Sequence, residues 1–315
     1  MLPPCVAAFV FCIAGPGDRL ERKERFALGR RLDFVWSAVV HLLTALAVLA
    51  LAFVLYFIVH EALPTFQEVS VADFLLGQRW MPVDYTGETA FGIFNFIVAT
   101  LYVSFVAMVL ALAVGLGAAI FLSCVAGERA RSILYPFVDL LAGIPSVVYG
   151  FIGLVVLVKI FLRAGVHTGS CVLAAGILLA IMLLPYLVSA CSESILRARE
   201  QYLPAAEAMG ISRWHVVATI LLPASWKNIL LSMVLAIGRA MGETMAVMMV
   251  IGNANLFPTL LGKSESIAAV IALEMGTAVV DSTHYHALYA AGLVLLVLLV
   301  IINVGIGLLR ERVLR

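Results

Sequence analysis

The sequence predicts an all-α membrane protein with six transmembrane helices, and three observations carry that prediction. Of 315 residues, 63% are hydrophobic and 12% charged, with a mean hydropathy of +1.10. A soluble domain is about one quarter charged, and a soluble chain of this size has no interior large enough to hide so much apolar surface. Six apolar runs reach the roughly 20 residues that a helix needs to cross the hydrocarbon core. Lys and Arg cluster on alternate connections, fifteen on one side of the runs and four on the other. Helices are the default, because every backbone polar group must be satisfied inside lipid.

Taken in order, residues 1–33 form an N-terminal extension. Its start, MLPPCVAAFVFCIAGPG, is too short to span and lacks the basic lead of a signal peptide. The first span covers 34–60. Residues 61–95 form an outside loop rich in aromatics, Gly and Pro, expected to be ordered over the bundle mouth. A transmembrane core follows over 96–309, with runs at about 96–123, 133–162 (interrupted by Pro136 and Pro145), 171–192, 227–252 and 287–309, and then a tail at 310–315. Arg19, Arg22, Lys23, Arg25, Arg30 and Arg31 precede the first run, and Arg129 and Arg131 follow the second. Arg197, Arg199, Arg213 and Lys227 follow the fourth, and Arg310, Arg312 and Arg315 close the chain. Arg79, Lys159, Arg163 and Lys263 lie opposite. The positive-inside rule then places both termini in the cytoplasm.

Other signals are negative. A net charge of +1 gives no field to draw nucleic acid. Cys5, Cys12, Cys124, Cys171 and Cys191 are odd in number and scattered, with neither disulfide nor metal-ligand spacing. The last outside loop holds SIAAVIALEMGTAVV, too short to span and expected as an interfacial or re-entrant helix with Glu274 solvated or capping. His284 and His286 are expected as polar interfacial residues rather than as a metal pair.

The connection after the fourth run, at about 193–226, reads ESILRAREQYLPAAEAMGISRWHVVATILLPASW. A helix, a turn at Gly210 and a second helix make either an exposed knob or an ordinary helical connection. The small residues Ala205, Ala206 and Ala208 suit insertion into a groove on another protein. The spacing favours the knob, because it resembles the EAA loop of ABC importer membrane subunits. Ala205, Ala206, Gly210, Ile220, Leu222 and Pro223 fall in register, while Pro204 replaces the leading Glu and Glu207 stands three positions late. Pro204 is expected in the first turn of the docking helix, where a missing N–H costs little.

Four further stretches, FLLGQRWMPV, LAGIPSVVYGF, GRAMGETMAV and SIAAVIALEMG, are similar to the PstC-type permeases of phosphate-specific ABC importers. That resemblance covers nearly the whole chain. It implies a type I ABC importer permease of MetI-like fold in the bacterial inner membrane. It also implies a related PstA-type permease as partner, two PstB-type ATPases that bind ATP and magnesium, and a periplasmic PstS-type phosphate-binding protein. No G-x-x-x-x-G-K-[ST] pattern is present, so this chain has no Walker A route to ATP hydrolysis and is not read as an enzyme. The resemblance assigns ATPase coupling to Ala205, Ala206, Glu207, Gly210, Ile220, Leu222 and Pro223.

Arg239 and Glu243 are the only charges between Lys227 and Lys263. Two mid-span charges cost about 5–7 kcal/mol on the insertion scale. The nine Leu, Ile and Val residues from Ile229 to Ile251 return only about 3–5 kcal/mol. On a continuous helix Ser232, Arg239, Gly242, Glu243 and Ala246 share a face. That face reads either as part of a translocation pathway, with Arg239 and Glu243 as substrate-handling residues, or as a buried ion pair that locks helices together. The competing functions are an ABC permease for sulfate or molybdate, an intramembrane enzyme and a secondary transporter. The last two leave the EAA spacing unexplained.

Overall fold

The computed structural model describes residues 19–82 and 89–313; the short apolar stretch at 1–17 and part of the first outside loop, 83–88, lie outside the described residues. The chain divides between Phe57 and Ile58 into two units. The first carries most of helix α1, Arg19–Ala62. Apolar side chains such as Trp36, Leu42, Leu46 and Phe53 are exposed along it. Within its apolar stretch, Thr44 and His41 bond back to the helix's own carbonyls, as lipid favours. Thr44 Oγ1 donates to the Val40 carbonyl at 2.7 Å, and His41 Nδ1 lies 2.6 Å from the Ser37 carbonyl.

The second unit begins with α2 (Thr65–Glu68), α3 (Val71–Leu76) and a two-stranded antiparallel ribbon, β1 (Trp80–Met81) with β2 (Ala90–Phe91), Trp80 opposite Phe91. Helix α4 (Phe94–Ile120) ends in a π turn, Phe121–Val125, and α5 (Glu128–Gly143) follows. Helix α6 (Ser146–Ile152), a π turn (Gly153–Leu157) and α7 (Val158–Arg163) run on from one another. The long α8 (Val172–Ala208) leads to α9 (Arg213–Val216), a π turn (Val217–Leu221) and α10 (Leu222–Gly242). The chain closes with α11 (Met245–Ile251), α12 (Ile267–Glu274) and α13 (Thr283–Val313). Six stretches are long and apolar enough to cross a membrane: Trp36–Glu68, Phe94–Val125, Ser146–Arg163, Val172–Ala208, Arg213–Gly242 and Thr283–Gly305.

Helix α8 is the centre of the second unit. Two-thirds of its most apolar window is buried. Ala175, Leu179, Leu183 and Leu187 meet Val103, Ala107 and Ala111 of α4 and Ala236 and Ala240 of α10. Alanine at so many contacts lets the backbones approach closely, which is how helices attract one another where lipid supplies no hydrophobic drive. The turn after α6 packs more tightly still: a Cβ on Gly153 would lie 2.7 Å from Leu178 Cδ2 and 2.9 Å from Val250 Cγ2.

Three spans differ from their sequence outlines. Residues 128–143 form a separate helix without a buried residue, and the chain turns at Ile144–Pro145, so the third membrane-length stretch begins at Ser146 rather than near 133. The residue before a proline is pushed into extended backbone, and Ile144 adopts it at φ −72° and ψ 126°. The fourth helix runs through to Ala208 without a loop at 193. The fifth breaks at Glu243.

At one end of the bundle the ribbon, α2, α3, α12 and the start of α13 build a hydrogen-bonded cap. Glu274, expected as solvated or capping, is 28% exposed and bonds across the cap. Its Oε2 accepts from Trp80 Nε1 and lies against His284 Nε2, both at 2.8 Å. Glu274 closes the last turn of α12, which points it toward the indole and the imidazole across the cap. His286 turns elsewhere, its Nδ1 2.9 Å from the Glu61 carbonyl, so the two histidines form no pair. Thr283 donates to Glu68 at 2.7 Å, and Ser266 caps α12 through the Ala269 amide.

Glu265 lies buried under this cap, 6% exposed. Burial, with the Glu274 carboxylate adding to it, pushes its carboxyl up to about 7. A carboxyl raised in the folded state favours folding at low pH and loses that advantage as pH rises through the raised value. The cap should therefore be more stable at pH 5 than at pH 8. Glu265→Gln should flatten the dependence and stabilise the protein at pH 8 by on the order of 2 kcal/mol. Thermal unfolding of both proteins across pH 5–8 checks this; equal slopes would count against it.

Candidate translocation and coupling sites

The tail of α8 and the segment Arg213–Leu222 fold on one another as a knob that packs against Ile120 and Cys124 at the end of α4. Ala198, Ala206, Val216, Val217 and Leu221 are its core, with Leu203, Ile211, Ile220 and Leu222 packed around them. The turn at its tip follows the chemistry of a helix C-terminus. Gly210 has φ +70°, its amide donates to the Glu207 carbonyl at 3.0 Å, and the Ile211 amide donates to the Ala206 carbonyl at 3.1 Å. This satisfies the last carbonyls of α8 with glycine in the left-handed region.

The residues assigned to coupling therefore separate. Ala205, Glu207, Gly210 and Pro223 are exposed, Ala206 is buried, and Ile220 and Leu222 are half-buried against the knob core. Arg213 lies 3.9 Å from Glu207, an exposed pair that contributes little. Pro204 does not begin a helix. It sits inside α8, in its last turns, because α8 continues from the span into the knob. Its missing N–H leaves the Glu200 carbonyl without its usual helical donor. Pro223 likewise cannot serve Thr219, and the π turn Val217–Leu221 widens the helix just before it.

Two groups of residues escaped the sequence reading. Met209 and Trp214, each 67% exposed, flank the Gly210 turn with large apolar surface; a Trp within two residues of a surface Ser was the available signal. Arg131 and Arg199 read only as topology charges. In the structure Arg131 donates to the carbonyls of Leu122 (2.9 and 3.1 Å) and Ser123 (3.2 Å), and Arg199 donates to Ser123 at 2.6 Å. Two cations thus close the carbonyl end of α4, where the helix dipole is negative.

The second site is the break between α10 and α11. Helix α10 ends at Gly242, and Glu243 is extended (φ −72°, ψ 117°). Glu243 Oε1 then accepts from the Ala246 amide at 3.3 Å, which serves one of the free N–H groups that open α11. Arg239, one turn before the end of α10, is exposed and within electrostatic reach of the Tyr186 hydroxyl. Among the described residues it forms no ion pair. Met233 and Ile237 pack against the core and Met241 is buried, so the apolar side of α10 holds the bundle while Arg239 and Gly242 are exposed. Ala246 lies beyond the break and does not extend the face drawn on a continuous helix. Irregular backbone at membrane depth is tolerated only where protein covers it or where it lines a water-filled cavity.

Comparisons with known proteins agree with this architecture. Residues 111–315 match the family described as binding-protein-dependent transport system inner membrane component. The phosphate transport system permease protein PstC of Xylella fastidiosa (strain Temecula1) is 36% identical over 275 residues, covering 79% of this chain and 83% of that protein. A probable ABC transporter permease protein, YqgH of Bacillus subtilis, is 35% identical over 73% of this chain and 74% of its own length. A probable PstC of Methanocaldococcus jannaschii is 30% identical over 83% and 89%. Among solved structures, a chain of the inward-facing MetNI methionine ABC transporter superposes with a TM-score of 0.55 at 19% identity, over 71% of this chain and 98% of that one, a likeness of fold. The chain therefore belongs to the family of binding-protein-dependent transport system inner membrane components, alongside the PstC permeases.

Proposed function

We propose that this chain is the membrane permease subunit of an ATP-driven importer of inorganic phosphate. It pairs with a related permease in the cytoplasmic membrane, with the knob and both termini in the cytoplasm. Two ATPase subunits supply ATP and magnesium chemistry, and a periplasmic binding protein delivers the anion to the cap end.

The observation that carries the reading is Arg239. It is exposed inside a membrane-length helix beside a backbone break, and no described carboxylate neutralises it. An arginine so placed needs water, a partner chain or an anion. A guanidinium offers a planar fork that matches two oxygens of a tetrahedral oxyanion. Glu243 bonds to the Ala246 amide in this conformation. Released from it, the carboxylate is four residues from Arg239 and competes with phosphate for the fork, which keeps anion binding weak enough for passage. At the knob, Ala205, Glu207 and the exposed Met209 and Trp214 offer an apolar surface with a charged edge to a groove on the ATPase.

Arg239→Lys keeps the charge and loses the fork, so uptake of labelled phosphate per assembled complex should fall about tenfold or more. Arg239→Gln should abolish uptake, and Glu243→Gln should impair it, both with normal copurification of partners. Normal transport by Arg239→Gln rules Arg239 off the pathway, and failure to assemble means that it locks helices. At the knob, a Cβ on Gly210 meets no atom within 4 Å, so substitution acts through the backbone alone, at about 1–2 kcal/mol. Gly210→Val should insert normally and uncouple ATP hydrolysis from uptake, whereas Gly210→Asn, which tolerates the left-handed region, should retain coupling. Wild-type uptake by Gly210→Val would remove the docking assignment.

A further inference from the structure

From Ala290 to Leu309, α13 reads AAGLVLLVLLVIINVGIGLL, and Asn303 is its one polar side chain. It lies inside the membrane-length stretch Thr283–Gly305. Its side chain is exposed, and its amide makes no hydrogen bond to any described residue. An amide presented to hydrocarbon is costly, because no solvent there replaces its hydrogen bonds. The second observation is its neighbour. A Cβ placed on Gly238 of α10 would stand 4.0 Å from both Nδ2 and Oδ1 of Asn303. Gly238 immediately precedes Arg239, so two different helices bring an unpaired amide and an unpaired guanidinium to one level of the bundle. With no side chain on Gly238, nothing on α10 stands between the amide and the backbone that carries the arginine.

We propose that Asn303 is a further substrate-positioning residue of the pathway, donating its Nδ2 hydrogens to a phosphate oxygen beside Arg239. This rests on the reading of Arg239 as a pathway residue. The chemistry suits a transporter. Arg239 supplies the charge that attracts the anion, and a neutral amide adds two donors without a second positive charge that would hold the anion too tightly. An amide also offers Oδ1 as acceptor, which suits the protonated oxygen of hydrogen phosphate.

The test compares Asn303→Leu and Asn303→Asp in the complete complex, reading copurified partners and labelled-phosphate uptake per assembled complex. Asn303→Leu should assemble normally and lose about tenfold in uptake, the scale of one charge-assisted hydrogen bond. Asn303→Asp, nearest in shape to asparagine, should lose more, because a carboxylate beside the path repels the anion. A role in joining helices predicts the reverse order, since Asp keeps the shape and an acceptor while Leu keeps neither. Uptake by Asn303→Asp equal to or above that of Asn303→Leu, loss of assembly in Asn303→Leu, or wild-type uptake in both overturns the proposal. Arg239→Gln runs alongside: if it transports normally, the pathway reading itself falls, and if it is inactive while Asn303→Leu is normal, only the role of Asn303 falls.

Discussion

Inside hydrocarbon a backbone amide or carbonyl has no water to turn to, and each departure from regular helix must bring its own partner. The irregular points of this bundle obey that constraint with local devices. The carbonyls at the end of α4 are closed by Arg131 and Arg199. The opening of α11 is served by Glu243. At the knob, beyond the apolar spans, the carbonyls at the end of α8 are closed in the same way by the amides around Gly210. Thr100 accepts from the Ile267 amide at the opening of α12 while donating to the Phe96 carbonyl. Two of these devices reach across the bundle, Arg199 to Ser123 and the Ile267 amide to Thr100, and so tie helix ends to distant helices as well as closing them.

Much of this was legible in the sequence, and the reasons for success and failure are physical. The apolar runs gave the membrane-length helices, because hydrophobic length is a local property and the bilayer thickness is fixed. Glycine at the knob was legible because a left-handed turn selects it. The break at Glu243 was not. GRAMGETMAV contains no proline, and the available signal was Gly242, a weak helix former at the last helical position before Glu243. The continuity of α8 was missed for the opposite reason. Pro204 reads as a helix start, yet two prolines are carried within the helix, since its neighbours hold it in place along much of its length. The hydrogen bonds of Glu274 join residues 194 and 10 positions away, the longer of which no local pattern encodes.

The two sites differ in how they are built. The knob is a small packed core with a defined turn, and the residues assigned to coupling divide between its surface and its interior. The α10–α11 break is open on one side in the single chain, with a guanidinium exposed near it. A site of that kind is half of a structure. Its dielectric and its water content are set by whatever second surface faces it, so the electrostatic environment of Arg239 is not fixed by this chain alone.

Helix α8 has 37 residues, about 55 Å at 1.5 Å per residue, nearly twice the thickness of a hydrocarbon core. One uninterrupted rod therefore reaches from the knob tip, past the contacts with α4 and α10, to the loop that precedes it at Cys171. Mechanically this is a lever whose short arm is outside the lipid. A small rotation at Gly210 becomes a larger sweep farther along, less whatever bending the helix allows. Pro185 and Pro204 each remove one strut from the hydrogen-bond lattice, which makes them the points of greatest compliance. Stiffness between those points, more than any single contact, sets how much of a push at one end arrives at the other.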